Sequence, residues 1–520
     1  MNSNRRFLLL SLLFSLLGGL ALGALIVALG AGGFTLTAWL AAGLLSWLSL
    51  FLLVLAWRWS GSLKPLAWML ALAFILRLGS GVFLTIVLPT AGYDNEEQQA
   101  GYLLYDAYSR DSQSWTLATS GDPLITAFQN QFDADQYGGL LSLSAAIYRY
   151  LSPDVHRPML ILILAAFAGA VGIPFLFKGV RERWGKRPAL VAGWIMALYP
   201  ESIMLGGSEM REPFLLALIS ILFWAVLSWK KNRMTAIWAG LASLVGMFLF
   251  SWRVAVVVAG VMLVWFWLDY VIASWSTRWR ILGWVTVAVA SVLLAVLSWE
   301  WLQGSASYDT SLVEQSSGWV QLIMNAIKHA YRIPFLTVYG LTQPVLPAAL
   351  VDIANPIAST VTILRSLGWY LLAPLFLYAL FTIWRAEDEQ ERKMLIWMAC
   401  FCLIWVVISS MRAGGDMWDN PRYRTIFLPW LAVLAGWGFD WALTHKDAWL
   451  VRWLIVEGIF LAVFTNWYLH RYQGIGLDVP FGIMVLVIVV LSLAVLVGGG
   501  LWDLWRRRHP AALVNAAKEK

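Results

Sequence analysis

The sequence predicts an all-α, polytopic membrane protein with about 12 to 14 transmembrane helices and a large first outer loop that carries short helices. Three observations predict it. Apolar residues make up 60% of the 520 residues and charged residues only 13%, against roughly 25% charged in soluble domains. Apolar runs long enough for a bilayer core, about 20 residues each, recur along the whole chain. Basic residues are sorted between alternate loops, as the positive-inside rule requires. The same composition excludes a disordered chain, a disulfide scaffold and a collagen-like fibre. The only cysteines, Cys400 and Cys402, are two apart in an apolar run, so a helix turns them to different faces.

The apolar runs are read as spans near 7–29, 35–57, 65–89, 158–177, 188–206, 213–229, 234–251, 254–272, 281–301, 366–384, 394–411, 426–444, 449–469 and 480–504. The first run follows Arg5 and Arg6 but is long for a signal-peptide core and has no clean cleavage site, so it is kept as a span. With both termini cytoplasmic, inner loops hold 24 of the 37 Lys and Arg residues, outer segments 12, and Arg77 lies inside a span. The expected location is the cell (plasma or inner) membrane. Many of the 33 tryptophans sit at span ends, where aromatic side chains anchor at the interface.

The organisation follows from these spans. Residues 1–64 hold two N-terminal helices. Residues 65–301 form a transmembrane module that includes a polar outer loop over 90–157. Residues 302–365, broken by Pro334, Pro344, Pro347 and Pro356, read as helices lying on or dipping into the outer interface. Residues 366–505 hold the C-terminal spans, and 506–520 a basic cytoplasmic tail. The inner loops are short, so any chemistry is expected to face outward.

Four outer clusters carry groups suited to chemistry. In GYDNEEQQAGYLLYDAYSRD, Asp94, Glu96 and Glu97 follow the third span, where a carboxylate can act as a general base; a solvated acidic loop also fits. In FDADQYGGL, Asp133 and Asp135 form a D-x-D pair that can share a divalent ion with phosphate oxygens, and turn capping is the alternative. In YPESIMLGGSEMREPF, Glu201, Glu209, Arg211 and Glu212 crowd a short loop between apolar helices. That suggests either a lined cavity or an ion-pair network. In MRAGGDMWDNPRYRTIFLPW, Arg412, Arg422 and Arg424 stand on the outer side against the charge trend. Their planar guanidinium forks suit a lipid-linked phosphate; anchoring, or pairing with Asp416 and Asp419, is the other reading. Arg253, Lys328, Arg332 and Arg365 are weaker candidates of this kind. Arg77, in FILRLGSG, is costly at membrane depth and is expected to have an acidic partner. No Walker loop, H-E-x-x-H or nucleophile elbow is found.

Together these residues resemble the polytopic glycosyltransferases of the C superfamily, of the mannosyltransferase or aminoarabinose-transferase kind. The resemblance is carried by Arg77-Leu78 inside a span, the acidic start at Asp94, the aromatic and alanine pattern from Tyr102 to Ala107, the stretch from DQYGGLL through YPESIMLGGSEMREPF, and NPRYRTIFLPW. The chain departs from it at Asp135-Gln136-Tyr137, where many relatives have a His-Pro-Pro-type segment, and in two extra N-terminal spans. A large soluble C-terminal domain of the kind that oligosaccharyltransferases carry is not expected after Arg508. The resemblance implies transfer of a sugar from a polyprenyl-phosphate-linked donor to a lipid, glycan or protein acceptor on the outer face. Membrane lipids are the surrounding partners, and no nucleic acid is involved. It implies Asp94, with Glu96 or Glu97 as alternates, as the group that orients or deprotonates the acceptor. Arg422, Arg424 and Arg211 would neutralise the leaving phosphate. Arg77, Asp135, Tyr137 and Glu209 would support the site, and 334–356 would help hold the polyprenyl chain. No cofactor is required, though a divalent metal at Asp133 and Asp135 is compatible. The alternatives are a transporter or flippase of lipid-linked saccharides, and a scaffold with no convergent outer cavity.

Overall fold

The structure is a computed structural model that describes residues 3–30, 32–129, 138–271, 276–297, 318–351, 355–412 and 420–509. It is all-α: among the described residues there is no strand. Nine helices there are long and apolar enough to cross a membrane, or ten if one bent pair counts as a span. The protein is therefore a polytopic membrane protein. A helix runs through each predicted span within the described residues; residue 272 of one span and residues 298–301 of the next lie outside them.

The N-terminal pair is α1 (Ser3–Leu29) and α2 (Leu36–Trp59). They approach closely because Gly19 and Gly23 have no side chain. A Cβ at either would lie 2.5 Å from backbone of α2, at Trp47 and Gly43. Small residues serve in this way where lipid offers no hydrophobic drive for helices to associate. α3 (Lys64–Ala91) then leads into the first polar loop, which holds α4 (Glu96–Gln99), α5 (Tyr105–Ser120) and α6 (Gly138–Leu151). The loop folds back along α3. Gly101, at φ 85°, lies against Thr85, and a Cβ there would be 2.7 Å from the Thr85 carbonyl.

α7 (Met159–Trp184) is the most buried of the long spans. It is followed by α8 (Lys186–Leu198) and α9 (Pro200–Gly206), which meet at a 52° bend. The sequence reads 188–206 as one span; the structure breaks it at Tyr199, whose backbone is extended. Pro200 has no N–H to give the Met196 carbonyl. Arg77 supplies the missing donors: Nη2 bonds Met196 O at 2.8 Å and Ser202 Oγ at 2.8 Å, and Nη1 bonds Ala197 O at 3.1 Å and Ala73 O at 3.0 Å. The acidic partner expected for Arg77 is thus replaced by carbonyls and a hydroxyl. Gly169 and Gly206 make room for it, since a Cβ at either would meet the Arg77 side chain at 2.5 Å.

α10 (Glu212–Leu227) leads to α11 (Arg233–Phe266), which turns back on itself at Ser251 (φ −167°, ψ 96°). Beside its start, Lys231 pairs with Glu182 at 3.1 Å. Beyond its end, Asp269 pairs with Arg183 at 3.2 Å. Two neighbouring residues of α7 thus hold both ends, which a straight helix of this length would separate by roughly 50 Å. The segment is a hairpin of two spans, as 234–251 and 254–272 predict.

The remaining helices are α12 (Thr277–Leu297), α13 (Gly318–Ala326), α14 (Arg332–Thr342), α15 (Leu346–Val351), α16 (Pro356–Thr382), α17 (Glu389–Arg412), α18 (Asn420–Thr425), α19 (Leu428–His445), α20 (Trp449–Gln473) and α21 (Phe481–Arg508). α19 is buried along most of its length, whereas α20 and α21 turn most of their surface outward. Arg452 ties that outer pair together through two bonds to Asp503, at 2.5 and 2.8 Å.

Candidate functional site

Depth can be counted along helices. Asn355, just before α16, bonds the Ala91 carbonyl at the end of α3 at 2.9 Å, so both mark the rim. Gly81 lies ten residues inside α3, about 15 Å below the rim. A Cβ there would meet the Gly207 carbonyl at 2.5 Å. The polar loop between α9 and α10 is therefore recessed into the bundle, where irregular backbone is tolerated only if protein or a cavity surrounds it. The same count puts Arg365 about 15 Å in. It grips Glu201 with two bonds, at 2.6 and 3.1 Å.

One side of the recessed loop faces the late arginine. Arg422 Nη1 lies 2.6 Å from Asp106 of α5, and Arg422 Nε lies 3.7 Å from Glu212. Arg211 Nε lies 3.8 Å from the same Glu212 oxygen, and Arg211 Nη1 donates to Ser251 Oγ at 3.2 Å. Glu212 is 0% exposed and Arg422 8%, while Asp106 is 34% exposed. Glu212 opens α10, where the helix N-terminus favours negative charge. Four elements meet here: the first loop, the α9–α10 turn, the α11 hairpin and α18. The guanidinium of Arg422 is held from behind by a buried carboxylate and in front by one that water reaches.

Arg424 has a different setting. Nη2 donates to the Gln343 carbonyl at 2.6 Å, and the guanidinium lies 3.6 Å from the Trp369 ring centroid. It is 1% exposed, and Trp369 Nε1 and the Tyr370 hydroxyl bond the carbonyls of Leu341 and Thr342 beside it. By helix count from Pro356, this turn lies about 20 Å below the rim. The segment after α14 thus dips deep, and Arg424 anchors it.

The other side of the recessed loop holds a second polar cluster. Asp111 accepts from the hydroxyls of Tyr102 and Tyr148, and His156 Nε2 lies 2.8 Å from its Oδ2. Glu209 faces Asp111, Ser114 and Ser144, and neither of its oxygens has a regular hydrogen bond to a described residue. Burial, then the Asp111 charge, pushes the Glu209 carboxyl well above its usual range. Burial would raise Asp111 too, but the neighbouring His156, Glu209 and Tyr102 favour its charged form and hold it below the ordinary value. Glu209 and Tyr102 line a small cleft between α3 and α7 with free space of about 20 Å³, room for one water-sized molecule.

Asp94, Glu96 and Glu97 stand at the rim. Asp94 is exposed and accepts a bond from Gln99. The first loop meets Arg422 through Asp106, with Arg211 beside Glu212, and it meets Glu209 through Asp111 on the other side of the turn. Asp106 and Asp111 are five apart on one helix, so they project to different sides. Sequence reading places both in the acidic loop without singling them out, and passes over His156. Asp133, Asp135 and Tyr137 lie outside the described residues, as do Asp416 and Asp419. Among the described residues, no group of three or more His, Cys, Asp or Glu is arranged to hold a metal ion.

No protein-family model matches the chain, and no curated protein sequence matches it significantly. Among solved structures it is similar to the archaeal oligosaccharyltransferase AglB from Archaeoglobus fulgidus, in complex with an inhibitory peptide and a dolichol-phosphate. The identity is 15% and the TM-score 0.39, over 84% of this chain and 54% of that one. The chain spans about half the length of that protein. A superposition this loose assigns no role to any residue here.

Proposed function

We propose that the protein is a membrane glycosyltransferase that moves a sugar from a polyprenyl-phosphate-linked donor to an acceptor at the rim. The observation that carries this reading is the Asp106–Arg422 pair, a solvent-reached carboxylate on a guanidinium backed by buried Glu212 and flanked by Arg211. A phosphate monoanion or dianion competes for that guanidinium by displacing Asp106, because Arg binds carboxylate and phosphate with the same fork.

The acceptor hydroxyl oxygen bonds to the anomeric carbon, the carbon–oxygen bond to phosphate breaks, and the electron pair leaves with the phosphate. Arg422 and Arg211 stabilise that anion, the largest contribution such a site makes. Two carboxylates serve the acceptor in this reading. Asp94 orients it at the rim. Asp106, set free when phosphate takes its partner, receives the proton. Arg77 and Arg424 position: one holds the broken helix, the other the deep turn at Gln343. A divalent metal at Asp133 and Asp135 stays compatible and unneeded for charge.

The test is binding of a short-chain polyprenyl phosphate to purified protein in nanodiscs. Arg422→Ala is expected to weaken it about 10- to 100-fold, the worth of one charge-assisted contact. Unchanged affinity would remove Arg422 from the donor site.

A second reading, a transporter or flippase for lipid-linked saccharides, is favoured by one feature, the break between α8 and α9 at depth, since transporters build sites at such breaks.

A further inference from the structure

Two buried carboxyl groups meet on the far side of the recessed loop, away from Arg422. Their hydrogen-bond supply is unequal. Asp111 receives the Tyr102 and Tyr148 hydroxyls and faces His156 Nε2 at 2.8 Å. Glu209, 2% exposed, faces Asp111 and the hydroxyls of Ser114 and Ser144, and neither of its oxygens has a regular hydrogen bond to a described residue. Ser114 already gives its proton to the Arg110 carbonyl at 2.7 Å, which leaves Ser144 as donor. A carboxylate with two hydroxyl donors and an imidazole beside it is stable as an anion, and a buried one with a single hydroxyl beside an anion is not.

We propose that Glu209 and Asp111 share one proton, and that this shared proton is the latch that docks the loop helices α5 and α6 onto the recessed α9–α10 turn. With the proton present, Glu209 donates to the Asp111 anion across the interface. Without it, two negative charges face each other in a dry site, and the contact opens.

The latch has consequences for the other side of the loop. α5 carries both Asp111 and Asp106, so undocking α5 takes Asp106 away from Arg422. The shared proton therefore sets whether the guanidinium is covered. His156 is the solvent end of the cluster, with 30% of its side chain exposed and its ring stacked on Trp115 at 4.9 Å. The other ionisable groups facing the pair are Tyr102 and Tyr148, both pushed up by burial and by Asp111 and so neutral throughout. Arg110 is turned to Gln113, at 2.9 Å. The residues of α3 and α7 at the cleft, Gly81, Leu84, Thr85 and Leu162, and Pro158 just before α7 carry no ionisable group.

The sign follows from linkage. Glu209 holds its proton in the docked loop more tightly than in an open one, where it has the ordinary value of 4.5. Docking strength is full below that value and is lost as pH rises through the raised one, at about tenfold per pH unit for one proton.

The experiment is amide exchange of α5 and α6 in the full chain in lipid nanodiscs from pH 5 to 9, corrected for intrinsic rate, with infrared detection of protonated carboxyl at pH 7. The wild type is expected to show a buried protonated-carboxyl band, and protection of 105–120 and 138–151 that falls with rising pH. Glu209→Gln should lose the band and keep the protection flat. If that variant does not fold, Asp111→Asn carries the same test. Facing no charge, Glu209 then ionises more readily, and the transition moves to lower pH. A wild type without pH-dependent protection overturns the latch. So does Glu209→Gln titrating as the wild type does, or Asp111→Asn with an unmoved transition. None of these readouts depends on sugar transfer.

Discussion

Asp106 and Arg422 are 316 residues apart in the chain and 2.6 Å apart in the fold. Their contact joins the first loop to the short helix before α19, and it closes one face of the polar pocket. In the proposed reaction this pair has to open for the donor phosphate to enter. Asp106→Asn should therefore bind polyprenyl phosphate at least as tightly as the wild type, because a competing charge is gone. Its turnover should fall by roughly 10²–10⁴-fold, the usual worth of a general base. Asp94→Asn should leave donor affinity unchanged and lower turnover through the acceptor. Calorimetric titration paired with turnover separates the two. Weaker donor binding in Asp106→Asn would contradict the competition.

Arg77→Ala should destabilise the bundle strongly. Four hydrogen bonds go, and the Met196 and Ala197 carbonyls are left buried without donors, at about 1–3 kcal/mol for each unmet group. Arg77→Lys should recover only part, since an ammonium cannot span carbonyls that a planar fork reaches together. Thermal unfolding in detergent checks the order wild type, Lys, Ala. A fully stable Ala variant would mean that α8 and α9 satisfy their own break.

Gly81→Val should displace the α9–α10 turn. The clash is with the Gly207 backbone, 2.5 Å from where a Cβ would sit, and backbone cannot rotate away as a side chain can. The expected outcome is a protein that still inserts but loses most donor binding, because Glu209, Arg211 and Glu212 ride on that turn. Normal binding would show that the turn tolerates a shift.

The hairpin at Ser251 is open to a distance measurement. Spin labels at Met234 and Leu268 should report a short separation, well under the roughly 50 Å of a straight helix. A distance near that length would make the segment one continuous helix and remove the turn from the site.

These particulars show what was legible beforehand. Hydropathy marks lipid-facing helices whatever their partners, so the spans could be read, and so could the two halves of the Ser251 hairpin. The break at Tyr199-Pro200 was signalled by proline but hidden by continuous apolarity on both sides. The support for Arg77 could not be read, because carbonyls freed by a bend 119 residues away leave no mark in side-chain identity. In the site, the late arginine and the polar turn stood out because charge is rare there. Asp106 and Asp111 did not, since in a loop rich in carboxylates only packing decides which ones turn inward.

The central claim is that this pocket cleaves a sugar from a lipid-linked phosphate. The most direct measurement is the release of free polyprenyl phosphate when purified protein in liposomes meets polyprenyl-phosphate-linked sugars prepared from source membranes. The account predicts release by the wild type, accompanied by sugar on an acceptor, and a fall of at least about 100-fold in Arg422→Ala, where an anion-stabilising contact is lost. Passage of the intact lipid-linked saccharide across the bilayer, with no free polyprenyl phosphate formed, would contradict it.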